Sequence, residues 1–490
     1  MISVDLGTSS VRACLVIPSL DVIFQAQVLL ELVTDFDGKA EQSPDQVIAS
    51  ALTVIKQASA YASDHQLSIQ AISFSNTVSS LVQLDSDFNP IGNFLTYADI
   101  RSFQEVNYLR EHYQPAFFRA TAVPLHASYW LPKILWLRKN DLVFPSTKYF
   151  CTIKDVLIHQ LTGHFFTDYS NAVATGISDV LISNWDSKLL DLAGLDKSNL
   201  PEIHPTTGQL NIKNEIAVDL GLPHHTVVVL GATDGVLSSL GVGAVSPGQV
   251  TTMIGSSGAC RVASDAPLIN EENRTWSYPL ANGIWIRGGA MNNGGMVIDW
   301  MIKTFFPDDN VANEEKFTEL LKEVSGISAG SDGLTFLPYL FGERAPIWDE
   351  KARGVYFGIH ASHQRGHFAR AAIEGIIYAL FSIFEIIRPD IFKSIEVRAT
   401  GGYVQSKEFI QIQADIFGLP INIPANHEGS IIGAATLAFT SVHKFTSIND
   451  VNEKIQIVSQ VKPNTENGGI YHTGYEKFKT LYQALKPLYQ

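Results

Sequence analysis

The octapeptide DLGTSSVR, residues 5–12, decides how the rest of the chain is read. It sets a carboxylate, a glycine and three hydroxyls in one tight turn straight after a strand-like run, ISVDL at 2–6. Glycine lets a ligand approach the backbone closely, successive N–H groups and hydroxyls can face phosphate oxygens, and a nearby Asp can hold Mg2+ directly or through water. A strand followed by a polar turn is also common in α/β proteins, so the turn gains meaning only beside others of its kind.

Outward from it, the first half reads as mixed α/β. Strand-like runs stand at VRACLVI (11–17), AISFS (71–75) and TVVVLGATD (226–234), with helical stretches such as 44–62 and 131–139 between them. The second half opens similarly, with QVTTMIGSSGACRVAS at 249–264 and GIWIRGGAMNNGG at 283–295. GTSSVRAC at 7–14 and GSSGACR at 255–261 suggest an internal repeat offset by about 248 residues. Two related lobes would then each offer a hydroxyl-and-glycine turn. The spacing of Phe, Ala, Ile and Leu over 367–387 predicts a long buried core helix. EVRATGG at 396–402 runs into a glycine pair and then a helical stretch, SKEFIQIQADIFG, a further place for a backbone to approach a nucleotide.

Bulk properties agree with a two-domain globular protein. At 490 residues the chain exceeds one ordinary core, and a cleft between two domains follows. A formal charge of −14 with no offsetting basic run argues against nucleic acid or an anionic membrane as partner. Cys14, Cys151 and Cys260 are far apart and odd in number, so neither a disulfide framework nor a zinc site is expected. Cleaving a signal peptide would remove the 5–12 turn, and no apolar run reaches the roughly 18 residues that span a bilayer. A reducing cytoplasm is the expected setting.

Asp234 sits in GATDG, directly after the apolar run TVVVL, where open α/β sheets tend to hold ligand-binding groups. Such a carboxylate could accept the proton of a hydroxyl that attacks a γ-phosphate. A turn-forming Asp is the plainer reading of the spacing alone; the phosphate-type turns at 5–12, 255–258 and 401–402 favour the chemical one.

These residues match a family. The chain resembles the FGGY carbohydrate kinases, members of the actin-like ATPase superfold, over essentially its whole length. DLGTSSVR and MIGSSGACR look like the two phosphate motifs, and GVYFGIHASHQRGHFARAAIE (354–374) is similar to the C-terminal signature. ATGGYVQSKEFIQIQADIFGLPI (399–421) resembles the adenosine region, and EGSIIGAATLAF (428–439) the helix after it. KILWLRKN (133–140) fits the N-terminal signature, although Trp130 stands where a small hydroxyl residue or proline is usual. Within the family, TYADIRS (96–102), TAVPLHASYWLPKILWL (121–137), DYSNAVATG (168–176), GGAMNNGGMVIDW (288–300) and FLPYLFGERAPIWDEKARGVYFG (336–358) are similar to the gluconate-phosphorylating branch. That branch commonly reads SSAMHS where this chain has SNTVSS at 75–80, so Val78 and Ser79 replace a Met and a His.

The resemblance implies two RNase H-like α/β domains with an interdomain catalytic cleft: 1–243, mainly sugar-binding, and 244–490, mainly ATP-binding, hinged near GVGAVSPG. It implies ATP-dependent phosphorylation of D-gluconate to 6-phosphogluconate, with Asp234 as general base and Asp5 organising Mg2+. Thr8, Ser9, Ser10, Arg12, Gly255, Ser256 and Ser257 would hold phosphates, and Gly401, Gly402 and Gln405 would border the nucleotide. For an acid sugar, Arg101 and His126 offer a cation or N–H donor, while Asn76, Ser79, Tyr97 and Asp99 offer hydrogen bonds to hydroxyls. Each has a structural alternative: Arg101 can simply pair with Asp99, His126 can be a satisfied core residue, and Lys133 reads as structural. Glu343 and Arg344 in GERAP, opposite charges in an apolar run, need partners within the protein or on a ligand. Expected partners are ATP and a small sugar acid, with no nucleic acid or membrane, and a homodimer is a candidate assembly. The rival readings are a kinase for xylulose, ribulose or glycerol, and a non-catalytic actin-like nucleotide switch or sugar sensor.

Overall fold

Strands β1 (Ile2–Leu6) and β2 (Ser10–Val16) form an antiparallel hairpin around the 5–12 turn, in the computed structural model of the chain. The structure describes residues 1–490 except 114–118, 142, 270–273, 306–311, 392–393, 427 and 490. Every residue of β1 is buried, as expected for a run with no polar face to show to water. β3 (Val22–Leu29) continues the meander antiparallel to β2. On the other side β4 (Ala71–Asn76) pairs parallel to β1, and β6 (Val227–Thr233) parallel to β4. β5 (Gln209–Asn211) closes the edge antiparallel to β6, giving the order β5-β6-β4-β1-β2-β3.

The second half repeats this plan. β7 (Gln249–Ile254) and β8 (Gly258–Ser264) form an antiparallel hairpin, and β10 (Glu396–Thr400) and β11 (Ile421–Pro424) add in parallel beside β7. β9 (Ile284–Met291) neighbours β8, and β12 (Ile457–Val461) closes the far edge antiparallel to β11, so six of the seven strands, in the order β9-β8-β7-β10-β11-β12, mirror the first sheet, and Trp276–Ala281 is an added edge strand beside β9. The repeat is thus real in topology, but its turns differ. Leu6 pairs with Val11 across the first turn, whereas Ile254 pairs with Gly258 across the second, so the second is one residue shorter.

Helices cover the sheets where the sequence supplies caps and apolar faces. α1 (Pro44–Asp64) starts with proline in its first turn and Ser43 accepting a bond from the Gln46 N–H, and buries Val47, Ala51, Val54, Ile55 and Ala58. α2 (Trp130–Asn140), α3 (Ile153–Thr162), α4 (Tyr169–Ala174) and α5 (Asp234–Gly241) follow in the N-terminal half. α6 (Arg365–Ile387) is the long helix predicted at 367–387, and Ile376, Ile377, Leu380, Ile383 and Phe384 along it are fully buried. Cutting one of its buried Ile or Leu side chains to Ala would cost about 2–5 kcal/mol. α7 (Lys407–Phe417), capped by Ser406, and α8 (Gly429–Ser441) complete the set used below.

Packing divides the chain into two units: Met1–Val245 with Ser264–Ile286 and Glu428–Ile455, and Ser246–Ala263 with Arg287–His427 and Gln456–Gln490. Two returning segments, one of them carrying α8, therefore join the N-terminal unit, where α8 packs on α5. Cys14, Cys151 and Cys260 are buried free thiols. Among the described residues no helix is long and apolar enough to cross a membrane.

Candidate active site

Strand register brings residues far apart in sequence to one edge of the N-terminal sheet. Leu6 lies opposite Asn76 and Asn76 opposite Thr233, so the 7–10 turn, Asn76 and Asp234 stand at the C-terminal ends of three neighbouring parallel strands. That edge is where open α/β sheets receive ligands. Asp234 is the first residue of α5 and half-buried, and its carbonyl accepts the Ser238 hydroxyl at 2.7 Å.

The turn itself is closed by the Gly7 N–H donating to the Ser10 carbonyl at 3.0 Å. The carbonyls of Thr8 and Ser9 turn to Gln42 Nε2 (2.8 Å) and the Leu30 N–H (2.9 Å); Ser9 is exposed and Ser10 buried. Asp5 and Arg12 are cross-strand partners, with Arg12 Nη2 at 2.9 Å from Asp5 Oδ2. The other arm of Arg12 meets Glu428 Oε2 at 2.7 Å, from the segment that returns to this unit just before α8. Burial works to lower the Arg12 pKa, but the charges of Asp5 and Glu428 and the hydrogen bond to Asp5 outweigh it and raise it. Glu428 was not singled out in the sequence, because it lies 416 residues from its partner.

The residues expected near a sugar fall into two groups. Asn76 and Ser79 are buried and engaged. Asn76 exchanges two amide hydrogen bonds of 2.9 Å with Asn171 and donates to the Thr77 carbonyl, while Ser79, at φ 56°, donates to the Ala174 carbonyl. Buried Asp99 belongs to a charged cluster, and Tyr97, two residues before it, is half-buried. Arg101 Nε spans both Asp99 oxygens at 3.1 and 3.0 Å, its Nη2 meets Asp99 and Glu41 at 2.6 Å each, and the guanidinium lies 4.3 Å over the Trp136 ring. Beneath them Lys133, fully buried on α2, donates to the Thr96 carbonyl at 2.5 Å. Burial pushes its pKa down to about 7 against the pull of Asp99. His126 is buried; its Nδ1 accepts the Ser128 N–H at 3.1 Å and lies 2.8 Å from the Ser128 hydroxyl.

In the C-terminal unit the equivalent strand ends carry glycine and serine. The Gly255 N–H donates to the Ser257 carbonyl at 2.9 Å, and the N–H groups of Gly295 and Met296 brace the turn at the Gly255 and Ser256 carbonyls (2.7 and 3.1 Å). Gly255 and Ser256 are exposed and Ser257 half-buried. Met253 lies opposite Thr400, so the glycine pair 401–402 follows on the adjacent strand. Gly401 has φ +98°, and a Cβ there would sit 2.4 Å from the Ile254 carbonyl oxygen, so only glycine fits. A Cβ on Gly402 would meet nothing within 4 Å, and Gln405 is exposed three residues on. Glu343 finds its partners inside this unit: it is buried and accepts from the Asn292 N–H (2.6 Å), the Arg344 N–H (2.8 Å) and Asn293 Nδ2 (3.0 Å). Burial raises its pKa against these bonds.

Among the described residues no group of three or more His, Cys, Asp or Glu is placed to hold a metal. A phosphate-bound Mg2+ needs only one or two protein carboxylates, and Asp5, with one oxygen on Arg12, has its other oxygen for that use.

Known proteins agree on this architecture. A gluconokinase of Bacillus subtilis is 32% identical over 100% of this chain and 96% of its own length. The crystal structures of a gluconate kinase and of a ligand-bound xylulose kinase, both from Lactobacillus acidophilus, each superpose with a TM-score of 0.94 at 30% identity, covering 100% of this chain and 98% of theirs. Residues 1–241 match the N-terminal domain and 250–442 the C-terminal domain of the FGGY family of carbohydrate kinases, and the chain belongs to that family as a two-domain, actin-like carbohydrate kinase.

Proposed function

We propose that this kinase phosphorylates D-gluconate at its terminal hydroxyl, giving 6-phosphogluconate, with Asp234 as general base. The observation that carries the catalytic part is the register Leu6–Asn76–Thr233, which sets Asp234 two strands from the hydroxyl-bearing turn. FGGY kinases take ATP as phosphate donor. The Asp234 carboxylate accepts the proton of the sugar hydroxyl as its oxygen bonds to the γ-phosphorus and the bond to the ADP oxygen breaks. Thr8, Ser9, Ser10 and Arg12 hold the phosphates by hydroxyls, N–H groups and one guanidinium, offsetting charge as it moves to the leaving oxygen. Gly255, Ser256 and Ser257 hold phosphate through a turn free of bulky side chains, and Gly401, Gly402 and Gln405 border the nucleotide. The open space beside Gly402 fits such a neighbour. A magnesium ion held by Asp5, directly or through water, would neutralise the phosphates.

For the sugar, the support is the pair of Bacillus gluconokinases, each 32% identical over the whole chain. Arg101, His126, Tyr97 and Asp99 are the groups proposed to face it, with Asn76 and Ser79 shaping the wall behind. A cytoplasmic setting and a homodimer go with this reading. One observation favours a neutral ketose instead: Arg101 already meets two carboxylates, Asp99 and Glu41, which offset the charge that a sugar acid would seek. Coupled kinase rates on gluconate, xylulose, ribulose and glycerol separate the two. Gluconate should give the highest kcat/KM; a value for xylulose more than about tenfold higher, some 1.4 kcal/mol in transition-state binding, would replace gluconate with the ketose.

A further inference from the structure

The short helix α4 touches the end of β6, which leads into the proposed base, and the end of the neighbouring strand β4. Ser170 Oγ lies 2.9 Å from Thr233 Oγ1, on the residue immediately before Asp234, and accepts the Thr233 N–H at 3.4 Å. The next residue, Asn171, makes the reciprocal amide pair with Asn76 at the end of β4. The last residue of the helix accepts Ser79. All of these groups are buried, so their hydrogen bonds compete with no solvent.

The helix is anchored from below by charge. Asp168 caps it through the Asn171 N–H (3.0 Å), takes Asn171 Nδ2 at 2.6 Å, and meets Lys154 Nζ at 3.0 Å; Lys154 also lies 3.3 Å from Asp155. Lys154, Asp155 and Asp168 are wholly buried. Well-packed apolar side chains would often give as much stability as such an ion group, whereas charged hydrogen bonds fix orientation. A fixed orientation matters most where a proton must be taken from one hydroxyl in one pose, since small misplacements cost rate.

We propose that Ser170 and Asn171 are positioning residues for Asp234, clamping the ends of β6 and β4 so that its carboxylate holds one pose, with Lys154 and Asp168 as the anchor of that clamp. The inference rests on the reading of Asp234 as the base. The test compares Ser170→Ala, Thr233→Val, their double variant and Asp234→Asn in the full chain, measuring kcat, KM for sugar and for ATP, and melting temperature. Ser170→Ala and Thr233→Val should each lower kcat by about tenfold, with KM for ATP within twofold and melting temperature within a few degrees. The double variant should be no slower than Ser170→Ala, which already removes both contacts that Ser170 Oγ makes with Thr233, and Thr233→Ser, which keeps the hydroxyl, should recover most of the rate lost in Thr233→Val. Should Ser170→Ala not fold, Thr233→Val reads the same bond from its other side. A melting temperature that falls while kcat stays within twofold, with Asp234→Asn inactive, overturns the clamp and leaves the base in place. An Asp234→Asn variant with full kcat overturns the base, and the clamp with it.

Discussion

The two units share a strand order and differ in what stands past the strand ends. After β1, β4 and β6 the N-terminal unit carries the Asp5–Arg12 hairpin with its hydroxyls, Asn76 and Asp234. After the corresponding β7, β10 and β11 the C-terminal unit carries Gly255 to Ser257, the pair Gly401 and Gly402, and Ala425. Where Asp5 faces Arg12 across the first hairpin, Met253 faces Ala259 across the second. One fold has been used twice, once with ionisable groups at its edge and once with small residues and bare backbone. On the proposed function, bond-making and charge handling belong to the first edge and accommodation of the bulky nucleotide to the second.

Substitutions at the two edges should act differently. After Asp234→Asn, the largest effect is expected from Asp5→Asn, which removes the carboxylate from the first hairpin: kcat should fall about a hundredfold, with half-saturation in Mg2+ moved upward, read by titrating the metal in a coupled assay. A comparable loss from Met253→Asn on the second hairpin would erase the distinction. Next come two glycine changes of opposite steric character. A Cβ at Gly7 would lie 2.9 Å from the Ser10 carbonyl oxygen inside the first turn, while one at Gly255 would meet only Met253 Sδ at 4.0 Å. Gly7→Ala should therefore lower the melting temperature and the rate together. Gly255→Ala should leave the melting temperature alone and raise KM for ATP by about tenfold, the size of one weakened contact.

The smallest effect lies deeper in the N-terminal unit, at Lys133. Burial holds its pKa at about 7, below the ordinary 10.5, so above pH 7 the unfolded chain carries the extra proton and stability rises with pH until the unfolded lysine also loses it. Melting temperatures at pH 7.5 and 9.5 should show this rise in the parent relative to Lys133→Met, in which the contribution is gone.

Much of this was legible in the sequence because it is local. DLGTSSVR, GSSG, the glycine pair and Asp234 each follow an apolar run within a few residues, and strand ends are where such turns fall. The long helix at 365–387 announced itself by its own apolar spacing. What stayed hidden is held by contacts across large separations. Glu428 reaches Arg12 over 416 residues, Asn171 reaches Asn76 over 95, and Ser170 reaches Thr233 over 63. DYSNAVATG was visible as a likeness, but neither spacing nor composition says that its Ser and Asn end on two different strands. Likewise, Arg101 beside Asp99 was a readable pair, whereas Glu41, its second carboxylate, comes from 60 residues away.

On the proposed function, proton transfer at the charged edge of the N-terminal sheet runs through Asp234. Single-turnover and steady-state kinase assays of Asp234→Asn, with ATP and sugar binding measured on the same protein, test it most directly. Both ligands should still bind while kcat falls on the order of a thousandfold or more, as loss of a positioned base should cause. A kcat equal to that of the parent would contradict it.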